Sequence, residues 1–112
     1  MARKAVLICF SVKTKRFRSN YERNKFFKAL YGWKQIIIKE RKTYVYKRNG
    51  LLDLIPHIKV DQSSFIIPEN HFKKIINFLE EWEDKVIWKS FKVLIDEEIE
   101  EMFKEMKKEI GD

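Results

Sequence analysis

The apolar residues divide the chain into short segments that have either a strand period or a helix period. The first segment is a continuous apolar run at residues 5–12, which predicts a central strand buried on both faces. Ser19 and Glu22 have the spacing of a capping box, and Gly32 is a natural helix stop. A helix is therefore predicted from Asn20 to about Tyr31.

The middle of the chain is rich in β-branched and aromatic residues and predicts strands. Residues 33–40 include three consecutive isoleucines, and residues 43–46 form a second strand after a turn at Arg41 and Lys42. Residues 51–56 predict one short helical turn that ends at a proline. Residues 58–60 and 63–67 predict a further strand pair, or one bent strand that is interrupted near Asp61 and Gln62.

The last third of the chain alternates helix and strand patterns. Apolar residues at helical spacing predict a second helix over about 69–84, on a stripe of Phe72, Ile75, Ile76 and Leu79. Residues 86–95 predict a strand, and Asp96 caps a last helix. Acidic residues begin this helix and lysines end it, as the helix dipole favours.

The order of these elements predicts an α+β fold. Strand, helix, strand, strand, helix, strand is the ferredoxin-like split βαβ arrangement, with one antiparallel sheet. The extra basic hairpin and the added C-terminal helix are additions to it. A chain of 112 residues is a single domain, residues 1–112. The single cysteine, Cys9, excludes an intrachain disulfide and is expected to be a small buried apolar residue.

The charge is divided unevenly along the chain. Residues 1–60 contain 16 Lys and Arg against three acids, whereas residues 61–112 contain eight Lys against 14 acids. If the basic half forms one face, that face attracts a polyanion, of which nucleic acid is the usual one. The alternative is a thermophile-like surface of Lys and Glu with no binding role.

The loop after the first strand is the first candidate site. Cations and one aromatic residue are concentrated beside the start of the predicted helix, which adds backbone N–H donors for phosphate. The candidate binding residues are Lys13, Lys15, Arg16, Phe17 and Arg18 in the loop and Arg23 on the helix. Phe17 is a potential stacking residue. The alternative is a solvated loop that binds nothing.

The hairpin is the second candidate site. Tyr44 and Tyr46 share one face of a strand, because side chains alternate with a period of two. The candidate binding residues here are Lys39, Arg41, Lys42, Tyr44, Tyr46, Lys47 and Arg48. Such a mixture can stack on bases and contact phosphates, or enter a duplex groove as a two-stranded ribbon. Alternatively, the two tyrosines cover the core or a dimer partner.

Two segments resemble the Cas2-like, ferredoxin-fold family of small CRISPR-associated proteins. They are the apolar first strand with its basic loop and helix, and the run Gln62-Ser63-Ser64-Phe65 before the second helix. The resemblance implies this fold and a habit of dimerisation. Nuclease members of the family have an Asp at the end of the first strand, where this chain has Ser11, Val12 and Lys13. The departure argues against metal-dependent cleavage.

No residue pattern predicts an active site. His57 and His71 lack the spacing of metal ligands, and no nucleophile motif or glycine-rich phosphate loop is present. We therefore expect a non-catalytic protein that binds DNA or RNA, without a cofactor or metal. The alternatives are a protein–protein adaptor and a Cas2-like metal-dependent nuclease.

The partners and location follow from the same features. A homodimer is expected, in which the acidic helices of one copy meet the basic half of another, or in which an edge strand pairs between subunits. No apolar run approaches the roughly 20 residues that cross a bilayer. The apolar segment near the N-terminus is too short for a signal peptide, so a cytoplasmic location is expected.

Overall fold

A computed structural model of the chain describes residues 3–110. Its helices and antiparallel sheets confirm the α+β class. The strands are β1 (Arg3–Val12), β2 (Trp33–Lys39), β3 (Lys42–Arg48), β4 (Ile58–Asp61), β5 (Ser64–Pro68) and β6 (Val86–Ile95). The helices are α1 (Asn20–Tyr31), α2 (Phe72–Glu80) and α3 (Glu97–Ile110). Short 3-10 turns lie at Thr14–Arg16, Leu51–Leu54 and Glu69–His71.

The main sheet has four strands in the order β4-β5-β1-β6, and every neighbouring pair is antiparallel. The central strand β1 places Ile8 opposite Phe65 on one side and opposite Ser90 on the other. Strands β2 and β3 form a separate two-stranded sheet. A sheet of four strands is large enough to bury one face against helices.

The core lies between one face of this sheet and the helices α1 and α2. Alternate residues of β1, such as Ile8 and Phe10, meet Phe26 of α1 and Ile75 of α2 in one buried cluster. Phe26 lies at the centre of a group of aromatic rings that includes Phe10, Phe78 and Trp82. Burying one such ring contributes about 1.5–3 kcal/mol. This cluster therefore dominates the stability of the four-stranded sheet and its three helices, which we call the body.

The opposite face of the sheet is only half covered. Helix α3 packs there through Phe103, against Ala5 and Ile95. The expectation that β1 is buried on both faces is therefore correct only near Ala5. Further along the strand Cys9 is half-buried rather than buried, because α3 does not extend over it.

Three predicted positions were wrong, by one to four residues: both ends of the second helix and the hairpin turn. The second helix begins at Phe72 after a 3-10 turn, and it ends at Glu80. After Glu80 the backbone continues in tighter turns, with the Trp82 amide bonded to the Leu79 carbonyl. The hairpin turn is at Glu40 and Arg41, whose positive φ angles of 52° and 67° are those of a type I′ turn.

The hairpin of β2 and β3 stands away from the body. The radius of gyration is 16.1 Å, where a compact chain of this length has roughly 13 Å. The dimensions are 54 × 36 × 20 Å, which is an elongated molecule. Within residues 3–110, no helix is both long and apolar enough to cross a membrane.

Candidate nucleic-acid interface

The basic loop at residues 13–18 presents its cations and hides its aromatic ring. Lys15, Arg16 and Arg18 are exposed. Phe17 points inward and is only 8% exposed, with its ring centre 6.1 Å from that of Trp82. The prediction that Phe17 stacks on a base is therefore wrong, because the core of the body already covers this ring.

The start of α1 holds the loop in place. Ser19 Oγ accepts a hydrogen bond from the Glu22 amide at 3.3 Å, as the capping-box spacing predicts. The Glu22 carboxylate accepts bonds from Lys85 Nζ at 2.6 Å and from the Arg18 amide at 3.1 Å. These bonds lower the pKa of Glu22 below its ordinary value, and the bond from Lys85 has the largest effect.

Acidic residues that are distant in sequence lie beside this loop. The Arg16 guanidinium donates to the backbone carbonyl of Asp84 at 3.3 Å, so the loop touches the turn after α2. That turn exposes the carboxylates of Glu80, Glu81, Glu83 and Asp84. The sequence alone did not predict this contact, which reduces the positive potential around the loop.

Cations and aromatic rings form a row along one side of α1, and this row was not predicted from the sequence. The guanidinium of Arg23 lies 5.0 Å from the centre of the Phe27 ring, and Phe27 stacks on Tyr31 at 6.4 Å. Lys59 of β4 completes the row, with its Nζ 4.3 Å from the Tyr31 ring. Arg23 is half-buried, and its Nε makes no hydrogen bond to the described part of the chain. Residues 23, 27 and 31 are four apart, so a helix places them next to each other on one face, and this spacing could have predicted the row.

Tyr31 ties α1 to the turn between β4 and β5. Its hydroxyl donates to the Gln62 carbonyl at 2.6 Å. Burial, helped by the nearby Asp61 carboxylate, raises the pKa of Tyr31 to about 12. The pKa of Asp61 is lowered, chiefly by the hydrogen bond from the Ser63 amide. The hydroxyl of Tyr31 thus serves the structure and remains neutral at physiological pH.

Two glycines attach the hairpin to the body. Gly32 ends α1 with a φ of +83°, and its backbone lies against that of Gly50, so a Cβ atom at either position would clash. Asp53 completes the attachment. One of its carboxylate oxygens accepts from the Gly50 amide at 2.8 Å, and the other pairs with Lys47 Nζ at 3.2 Å.

The register of β2 and β3 gives the hairpin two different faces. The aromatic face consists of Trp33, Gln35, Ile37, Lys39, Lys42, Tyr44, Tyr46 and Arg48. The aliphatic face consists of Lys34, Ile36, Ile38, Thr43, Val45 and Lys47. Only Gln35 is half-buried, and all the other residues of both strands are exposed. The hairpin therefore contributes no buried side chain to the core of the body.

The side chains of the aromatic face support each other but remain accessible. Arg48 Nε donates to Gln35 Oε1 at 2.7 Å, and its guanidinium lies 5.6 Å from the Tyr46 ring centre. Tyr44 is 41% exposed and Tyr46 is 45% exposed. The alternative that these tyrosines cover the core of their own chain is thereby excluded.

The two predicted sites are separated by the length of α1. The loop precedes the first residue of this helix and the hairpin follows its last, and 12 helical residues span about 18 Å. Arg23, Phe27 and Tyr31 lie on the helix between them, and Lys59 of β4 lies beside Tyr31. The loop and hairpin cations therefore lie at opposite ends of α1 rather than in one compact patch.

Neither a metal site nor a family relationship emerges from these residues. In the part of the chain that the structure describes, no group of three or more His, Cys, Asp or Glu side chains could hold a metal ion. His57 instead makes a 2.9 Å hydrogen bond with the Ile55 carbonyl. Comparisons with protein-family models, with curated proteins and with solved structures give no match for this chain.

Proposed function

We propose that this protein is a non-catalytic nucleic-acid-binding protein that contacts phosphates with its basic loop and its hairpin. The observation that supports this most is the hairpin itself. It projects from the body and exposes six basic side chains, Lys34, Lys39, Arg41, Lys42, Lys47 and Arg48, against one acid, Glu40. At its tip, Lys39, Arg41 and Lys42 make no ion pair with any described residue.

The physical basis of this proposal is counterion release. A phosphate backbone holds a condensed layer of cations, and every Lys or Arg that replaces one of them adds to affinity. The tip cations and the exposed cations of the loop are suited to this role, since their partners in the fold are few. Tyr44 and Tyr46 add accessible ring faces on which unpaired bases can stack.

The strand order also supports a ferredoxin-like, split βαβ body. Omitting β2 and β3, the elements follow strand, helix, strand, strand, helix, strand, with β1 between β5 and β6 in an all-antiparallel sheet. In this proposal the hairpin is an insertion after α1, and α3 is an addition at the end. The Cas2-like resemblance stays a hypothesis about the fold and dimerisation. Cleavage of nucleic acid stays an alternative, which incubation of the protein with labelled DNA or RNA and Mg²⁺ or Mn²⁺ tests.

Salt-dependent binding tests the proposed function. Fluorescence anisotropy with labelled single-stranded and duplex DNA and RNA, over a range of salt concentrations, should give a log–log slope near −0.9 for each phosphate neutralised on duplex DNA. The loop variant K13Q/K15Q/R16Q/R18Q should weaken binding to all four nucleic acids. It should also flatten the slope by about two to four.

A matched control separates a binding face from general positive charge. The variant K74Q/K104Q/K107Q/K108Q removes the same number of charges from α2 and α3. It should change affinity far less than the loop variant. Equal weakening by the two variants, or no binding by the unaltered protein at low salt, contradicts the proposal and favours the adaptor alternative.

A further inference from the structure

Two apolar surfaces of the described chain are left without a cover. One is the aliphatic face of the hairpin, where Ile36, Ile38 and Val45 are 63%, 76% and 58% exposed. Isoleucine and valine that are this exposed contribute little to the stability of the body. Contiguous exposed apolar residues with a polar rim are typical of protein–protein contact sites.

The other is the half of the main sheet that α3 leaves uncovered. In the register of β1 and β6, Leu7 lies opposite Phe91, Cys9 opposite Lys89 and Ser11 opposite Ile87, all on the outer face. We call this group the open sheet face. Ile87 is 50% exposed and Phe91 is 49% exposed. A depression of about 200 Å³ lies between Cys9, Ser11, Ile87 and Lys89, which is room for an aliphatic side chain.

We propose that these two surfaces bind each other between two copies of the chain. The hairpin of one copy lays its aliphatic face on the open sheet face of the second copy, and the second copy does the same in return. The hairpin cannot make this contact within its own chain as folded, because it leaves the body from α1, which packs on the opposite face of the sheet. The contact is an addition to the nucleic-acid function and does not depend on it.

The charges around the two surfaces are complementary. The hairpin tip carries Lys39, Arg41 and Lys42. The open sheet face ends near the exposed acidic residues 80–84, which Lys85 separates from β6, and near the basic loop, whose Lys13 amide bonds to the Lys85 carbonyl. At the other end, α3 begins with a run of acids at residues 97–101. Lys89 is the one cation that lines the depression. Opposite charges at the rim of an apolar contact guide the two surfaces into register.

The size of the contact favours a reciprocal pair. Strands of seven residues are about 23 Å long, so one face of the ribbon can bury on the order of 300 Å² on each partner. One such contact is too small for a stable complex, but two related by a twofold axis bury about 1,200 Å² in total. That area is at the lower limit for a specific dimer, and the twofold axis closes the assembly.

Docking in this way leaves the aromatic face of the hairpin free. Side chains alternate along each strand, so the aromatic face with Tyr44 and Tyr46 points away when the aliphatic face is covered. A dimer would therefore present two aromatic faces to one nucleic acid, which increases avidity.

Analytical ultracentrifugation of the full chain with paired variants tests this proposal. The arm variant I36T/I38T and the sheet variant I87T/F91T each remove apolar side chains from one surface and place threonine, which favours strands, at each position. Each should weaken dimerisation by roughly 100-fold or more, since each variant removes two buried side chains and each of these contributes close to a factor of ten. Circular dichroism should show that both variants stay folded.

Matched controls lie on the other faces of the same strands. I37T places the same change on the aromatic face, and L94T does so at a residue of β6 that is 73% exposed and does not belong to the open sheet face. Both should dimerise like the unaltered chain. A chain that is monomeric at about 100 μM would overturn the proposal. So would a sheet variant that dissociates while the arm variant stays dimeric, because the two sheets would then meet directly.

Nucleic-acid binding supplies the readout that separates the two proposals. The arm variant keeps every cation and both tyrosines. Its nucleic-acid affinity, measured per monomer, should therefore depend on salt concentration with the same slope as that of the unaltered protein. If the arm variant instead leaves the oligomeric state unchanged and loses nucleic-acid affinity, the aliphatic face contacts nucleic acid and the dimer proposal is overturned. If no variant binds nucleic acid but dimerisation responds as expected, only the proposed function fails.

Discussion

The body and the hairpin use similar residues for opposite purposes. In the body, Phe26, Phe65 and Ile8 are fully buried, and the charge of Glu22 is paired with Lys85. In the hairpin, isoleucines, tyrosines and lysines are all exposed. Apolar content alone therefore does not distinguish residues that stabilise a fold from residues that remain exposed.

The stability of the hairpin has to come from its own strands and from its base. An isolated two-stranded hairpin is marginal in water. This one gains from its type I′ turn and from the attachment formed by Gly32, Gly50 and Asp53. An element that is fixed at its base and exposed elsewhere is suited to bind a partner, because it loses little conformational entropy on binding.

The sharpest contrast between the two regions is expected in their response to truncation. Phe26→Ala removes the ring at the centre of the aromatic cluster and should destabilise the body by about 3–5 kcal/mol. Ile38→Ala removes a side chain that touches little and should change stability by no more than about 0.5 kcal/mol. Urea unfolding monitored by far-UV circular dichroism, at a concentration where the chain is monomeric, measures both. Equal losses for the two variants would show that the hairpin is part of the cooperative core.

Much of the body could be predicted from the sequence, because its signals are local. The capping residues Ser19 and Glu22 defined α1, and the β-branched run defined β6 at residues 86–95. The length of α2 could not be predicted in this way. Trp82 and its neighbours have a helical apolar pattern, yet the chain tightens into turns there to reach the start of β6.

A smaller, pH-dependent effect should be confined to the body. The pKa of Glu22 is lowered in the folded chain, so the ionised Glu22 side chain stabilises the fold. This stabilisation is fully present above the ordinary Glu pKa. It is lost as the pH falls through the lower pKa of the folded chain. The midpoint of urea unfolding should therefore decrease between about pH 5 and pH 3, and less so in Glu22→Gln. Circular dichroism of both proteins at these pH values measures the difference. The same pH dependence in both would mean that the pair with Lys85 does not couple to folding.

The candidate site was less predictable than the fold, and for a physical reason. The cations of the loop and hairpin were identified from their density in the sequence. Whether a side chain such as Phe17 points to solvent depends on packing by Trp82, which is 65 residues away in the chain. The same holds for the acidic turn beside Arg16 and for the contact between Lys59 and Tyr31. Tertiary contacts of this kind leave no local pattern.

Removal of the hairpin tests most directly whether the body folds by itself and whether the hairpin binds nucleic acid. Residues 33–48 can be replaced by a Gly-Ser linker, because the backbones of Gly32 and Gly50 already touch. We expect the far-UV spectrum of the remaining body and its unfolding midpoint to stay close to those of the full chain. Affinity for duplex DNA should fall at least tenfold and the salt slope should flatten by up to about five, since six cations are lost. An unfolded product, or unchanged affinity and slope, would contradict this division of roles.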